Sequence, residues 1–239
     1  MEAKCSFCEL FGEKPHCHNC KIFKKTKTHA PQEIDCSLEE VVEYINTHDD
    51  VTERFGVGDY KTIELYTGET VKIILLDTDK DKLAEGEGNA KTTFGILVCD
   101  GLFRMNKENT NRTSWKDCEM RTRMERILRL LPEGIRNNIK PVLKKTSAGG
   151  GSRDIITTTD KCFLFSEVEI RGEVQYSRPG EGEQYEYFVS DEGRNFDDYK
   201  WLRSPCYSYS LRFCCVNYSG RSNYSIASSS IGVAFGFCI

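Results

Sequence analysis

Apolar and polar positions follow two different periods along this chain. Across residues 36–48 the period is helical. Leu38, Val41, Val42 and Ile45 form a stripe, and Ser37 with Glu40 makes the S-x-x-E capping box that opens a helix. Strand patterns follow at residues 62–66 and 71–76, with Thr67-Gly68-Glu69 as the hairpin turn between them. Residues 77–91 are charged and contain glycine, so they read as a loop. The Asp77, Asp79, Asp81 alternation resembles the opening of a calcium loop, but the Gly and terminal Glu of that pattern are misplaced. A strand at 93–99 precedes the longest expected helix, capped by Ser114 with Asp117. Trp115, Met120, Met124, Ile127, Leu128 and Leu131 line its buried face, and Pro132 ends it. A short helix at 133–139, a flexible Gly-rich loop at 147–153, and strands near 162–165, 185–189 and 201–203 complete the first 205 residues.

Composition restricts what such a chain does. Hydrophobic residues make up 38% and charged residues 29% of 239, as in a folded globular protein with one substantial domain and a small appendage. A net charge of −4 provides no bulk attraction to nucleic acid or anionic membrane. No apolar run approaches the roughly 20 residues of a spanning helix, so no membrane insertion is expected. The first ten residues are charged and carry Cys5 and Cys8, which does not suit a Sec signal peptide and points to the cytoplasm. All four histidines, His16, His18, His29 and His48, precede residue 49, so the rest of the chain has no imidazole for a conventional triad. With no H-E-x-x-H, G-x-S-x-G or G-x-x-x-x-G-K-[ST] motif either, the chain reads as a non-enzyme.

There are 12 cysteines. Cys5 and Cys8, then Cys17 and Cys20, form two C-x-x-C pairs, the spacing at which four thiolates close on one tetrahedral Zn²⁺. Residues 1–29 are therefore expected to be a structural zinc-knuckle-like segment, with His16 or His18 as substitute ligands. A redox-active cysteine cluster is the alternative, without the βαβ context that such motifs have. Residues 30–56 read as a helical linker.

The last 34 residues differ in kind from the others. They hold eight Ser, four Tyr, four Cys and three Gly, and no Lys, Glu, Gln, Met, Trp or Asp; Arg212 and Arg221 are the only charges. Leu211, Phe213 and Val216, and then Val233, Phe235 and Phe237, have strand-like spacing, so this is ordered β structure rather than a low-complexity tail. Tyr supplies contact area with few rotors and Ser, Gly and Asn supply adaptable hydrogen bonds, the vocabulary of antibody combining loops. Every residue type here has a codon ending in a pyrimidine, so substitution of the first two bases of Asn codons would produce the whole set.

Trp201-Leu202-Arg203-Ser204-Pro205, the Ser/Tyr/Asn-rich stretch with Phe213, Val216 and Gly220, and the ending Gly232-Val233-Ala234-Phe235-Gly236-Phe237-Cys238-Ile239 resemble the variable proteins of diversity-generating retroelements. Upstream, Phe163-Leu164-Phe165-Ser166-Glu167-Val168-Glu169 and Gln184-Tyr185-Glu186-Tyr187-Phe188 resemble a domain of gut bacteria and their phages. The first of a tryptophan pair associated with that domain is Lys200 here. The resemblance covers about residues 57–239 and implies an α+β, C-type-lectin-like fold with antiparallel strands and two helices, related to formylglycine-generating enzymes. It also implies adenine mutagenesis of codons for one ligand-binding face within about residues 206–231. The expected contact residues are Tyr207, Ser208, Tyr209, Arg212, Cys215, Tyr218, Arg221, Asn223, Tyr224 and Ile226. The partner would be a protein or surface ligand, met in the cytoplasm or on a phage particle. The alternatives are an enzyme of the formylglycine-generating type using Cys214 and Cys215, and a zinc-dependent nucleic-acid-binding protein resting on the N-terminal segment alone.

Overall fold

Helix α1, Leu38–Thr47, begins where the capping box puts it: Ser37 Oγ accepts from Glu40 N and the Glu40 carboxylate accepts from Ser37 N. The computed structural model describes residues 30–239, so Cys5, Cys8, Cys17 and Cys20, like His16 and His18, lie outside the described residues. Val41, Val42 and Ile45 of α1 are buried in the same hydrophobic cluster as the rest of the chain. Ile34 N also bonds Tyr60 O. Residues 30–56 are thus a packed part of the body rather than a linker.

The architecture is α+β, with mostly antiparallel sheets and few helices. One sheet has the order β1-β2-β3-β11-β6, formed by β1 (Tyr60–Glu64), β2 (Thr70–Thr78), β3 (Thr92–Ile96), β6 (Phe163–Leu164) and the final strand β11 (Phe235–Cys238). A second has the order β10-β7-β8-β9, from β7 (Lys200–Pro205), β8 (Arg212–Val216), β9 (Ser222–Ile226) and β10 (Gly232–Val233), where only β10 and β7 are parallel. Strands β4 (Val142–Ser147) and β5 (Ile155–Asp160) form a separate hairpin. The helices α2 (Glu119–Ile127), α3 (Glu133–Arg136) and α4 (Glu167–Arg171) are short.

Several elements depart from their expected form. Ser114 does not cap a helix. Its backbone has φ 54°, its hydroxyl donates to Ser147 O at 2.5 Å, and α2 starts five residues later, behind Cys118. Trp115 is buried in that turn and donates Nε1–H to Asp160. Residues 185–189 are not a strand, because Tyr185 and Phe188 must both face inward. A 3₁₀ turn at Glu186–Val189 puts residues three apart on one side and leaves Val189 exposed.

Beneath the second sheet lies a buried ionic network. Arg203 donates Nη2–H to Glu169 Oε1 at 2.7 Å, and Lys144 Nζ reaches Glu169 Oε1 and Asp81 Oδ1, both at 2.6 Å, and Tyr185 Oη at 2.8 Å. Burial alone would raise the Glu169 carboxyl, but Arg203 and Lys144 bring it below its ordinary value. Lys200 is buried too, its ammonium 2.6 Å from Asp197.

Candidate ligand-binding face

Strand β8 presents only its first residue outward. Phe213, Cys214, Cys215 and Val216 are all buried, whereas β9, at the sheet edge, is half-exposed throughout. The register places Arg212 opposite Ile226 and Cys214 opposite Tyr224, so Arg212, Tyr224 and Ile226 share one side while Asn223, opposite Cys215, lies on the other. The connection from β7 to β8 brings Tyr209 to the same place. The Tyr209 and Tyr224 centroids are 5.3 Å apart, and Arg212 Cζ lies 4.9 Å from both rings.

Two residues from outside the C-terminal segment complete the face. The Tyr176 ring meets Tyr224 edge-on at 4.8 Å, and the Arg178 guanidinium covers the Tyr207 ring at 3.1 Å. Their loop is held from below by the buried Glu167 carboxylate, which accepts the N–H groups of Gln175, Tyr176 and Ser177. Tyr176 O then accepts Tyr207 N–H at 2.8 Å.

The 206–212 loop itself hangs on one side chain. Asn111, fully buried, directs Nδ2 to the carbonyls of Cys206, Tyr209 and Arg212 at 2.9, 3.1 and 2.7 Å, and its own N–H to Ser210 O at 2.8 Å. Its Oδ1 accepts Gly150 N–H, which ties in the Gly149–Gly151 turn. Gly149 has φ 75° and an added Cβ would lie 1.9 Å from Asn111 O, so the loop expected to be flexible is packed. The bonds that Asn111 donates from Nδ2 and from its own N–H all end on the backbone of residues 206–212. No pattern in the sequence marks Asn111, Tyr176 or Arg178 for this role.

The expected contact residues therefore divide. Tyr207, Ser208, Tyr209, Arg212, Tyr224 and Ile226 come to one end of the sheet. Tyr218 and Arg221 are exposed in the turn at the opposite end of β8, about 13 Å along a five-residue strand at 3.3 Å per residue. That turn is made by Asn217 Oδ1, which accepts from Ser219 N and Arg221 N, and by Gly220 at φ 68°. Asn223 faces the other side. Cys215 is 1% exposed and leaves the contact set, because the core covers both sides of β8 at that point.

Cys214 and Cys215 do not converge. Burial pushes the Cys215 thiol up to about 12 and the Cys214 thiol well above its ordinary value. Cys214 instead bonds Cys206, and that hydrogen bond, joined by the N–H groups of Ser208 and Tyr209, brings the Cys206 thiol down to about 7. Among the described residues no group of three or more His, Cys, Asp or Glu is placed to hold a metal ion. Nor is any helix among them long and apolar enough to cross a membrane.

Residues 90–239 match the family described as a domain of unknown function, DUF6273. The chain belongs to the DUF6273 family. The DUF6273 region begins just before β3 and takes in Asn111, the Glu167 loop and the whole Tyr/Arg face, while α1, β1 and β2 precede it. Comparison with curated proteins and with solved structures found no match.

Proposed function

We propose that this chain is a ligand-binding protein whose C-terminal face is diversified by retroelement adenine mutagenesis and displayed on a rigid C-type-lectin-like scaffold. The contact residues in this reading are Tyr207, Ser208, Tyr209, Arg212, Tyr224 and Ile226, with Tyr218 and Arg221 as an outlying pair. One observation carries it: the scaffold grips the backbone of residues 206–212, through Asn111 and Tyr176, in addition to the buried Cys206 and the Arg178–Tyr207 ring contact. A loop held in this way keeps its path when its side chains change, which a diversified face requires. The α+β architecture with mainly antiparallel sheets is compatible with a lectin-like scaffold. The composition of the segment, rich in Tyr and Ser and devoid of Lys, Glu and Asp, supports the same reading. The ligand would be a protein or a surface molecule, met in the cytoplasm or on a phage particle, and Cys5, Cys8, Cys17 and Cys20 would hold a structural Zn²⁺ apart from the face.

The DNA flanking the gene tests this. A near-copy of the codons for about residues 205–239 is expected nearby with a reverse transcriptase gene, and differences between the copies should fall on template adenines. Asn217 and Asn223 would be unaltered or silently altered, and Tyr207, Tyr218 and Tyr224 substituted. A locus with neither repeat nor reverse transcriptase would remove the diversification reading.

A further inference from the structure

Two guanidiniums on the Tyr face lack a carboxylate. Among the described residues the arginines in salt bridges are Arg104, Arg121, Arg171, Arg194 and Arg203, which leaves out Arg178 and Arg212. Arg178 donates Nε–H to Ser152 O at 3.3 Å, but its Nη2 is buried without an acceptor. Both arginines lie over tyrosine rings, which desolvates one side of each guanidinium and leaves its edge donors for something else. Residues 206–239 contain no Asp or Glu that could satisfy them. The guanidinium fork, where its donors are exposed, fits a carboxylate.

We infer that the face binds an acidic protein segment, whose Asp or Glu carboxylates meet the free donors of Arg178 and Arg212 while its apolar side chains cover the tyrosines. This rests on the binding reading above and gives it a partner chemistry. Charge complementarity supplies the acid. The apolar surroundings argue for a protein rather than an anionic polysaccharide. The tyrosine rings touch one another, and Ile226, 37% exposed, adds aliphatic surface that a polypeptide covers and a polyanionic sugar does not.

The test is selection of random peptides displayed on phage against the full chain. Recovered peptides should be enriched in Asp or Glu beside aromatic or aliphatic residues. A selected peptide should bind about tenfold more weakly to Arg178→Gln or Arg212→Gln. Replacing the peptide's acid by its amide should cost a similar factor with the protein untouched, which guards against a variant that merely misfolds. Peptides lacking acids, or acids whose replacement changes nothing, would overturn the carboxylate inference and leave the binding face standing. Heparin binding with the selected peptides inert would also overturn it. Failure to enrich any peptide would count against the binding face itself, and the inference with it.

Discussion

Asn111 holds Arg212 by its carbonyl, with Nδ2 2.7 Å from the oxygen, while the Arg212 guanidinium lies over Tyr209 and Tyr224. The same amide reaches the carbonyls of Cys206 and Tyr209. Asn111→Ala leaves these carbonyls without a donor in a buried site and should cost about 3 kcal/mol, since each unsatisfied buried group costs about 1–3 kcal/mol. Urea unfolding measures this. A loss below about 0.5 kcal/mol, the usual range of a surface change, would mean that the loop does not depend on Asn111.

The buried network should be intolerant of single deletions. Glu169→Gln leaves Arg203 and Lys144 short of a counter-charge, and breaking a buried pair on one side costs about 3–5 kcal/mol. Trp201→Ala empties a fully buried site and removes the Nε1–H bond to Phe103 O, for a similar cost of about 3–5 kcal/mol. Thermal unfolding of both variants should show large drops or loss of the transition.

Glu181 gives the fold a pH dependence. Burial raises its carboxyl from 4.5 to about 7, against the bonds from Ser204 and Ser147 and the charge of Arg203, with Glu167 adding to the rise. The folded state therefore holds a proton that the unfolded state has lost. The resulting stabilisation is complete below the unfolded value and disappears as pH rises through about 7, at most about 3 kcal/mol. Asp81 and Glu169, held below their ordinary values, act in the opposite sense and only in more acid solution. Glu181→Gln should flatten the stability profile between about pH 5 and pH 8 and leave the variant relatively more stable at the alkaline end. An unchanged slope would contradict this.

Zinc analysis addresses the N-terminal segment. About one Zn²⁺ per chain is expected, lost in Cys17→Ser with the body still folded, because the ligands Cys5, Cys8, Cys17 and Cys20 all precede residue 30. Undiminished zinc after removal of residues 1–29 would place the metal elsewhere.

Local signals were legible and tertiary ones were not. The Ser37/Glu40 capping box located α1 because both partners lie within one turn. The same motif at Ser166 and Glu169 caps α4, but the apolar run before it reads as a strand and hides the short helix. The failed Ser114 cap has a tertiary cause, since that hydroxyl is taken by Ser147. Cys215 is expected on the ligand-binding face because it lies in the segment that the resemblance assigns to that face, yet β8 is covered on both sides there. Tyr176 and Arg178 belong to the face only because the Tyr176 carbonyl meets Tyr207 N–H, a contact between residues 31 positions apart that no local pattern encodes.

A stability-selected library randomised at Tyr207, Ser208, Tyr209, Arg212 and Tyr224, and in parallel at Phe213, Cys214, Cys215 and Val216, tests the central claim most directly. Protease resistance would report which sequences fold. The account predicts that the first set accepts polar and small residues within about 0.5 kcal/mol per site while the second admits only apolar residues of similar size, with truncations costing about 2–5 kcal/mol. Equal restriction at both sets, with Tyr207→Ser and Tyr209→Ser as damaging as Phe213→Ser, would contradict it.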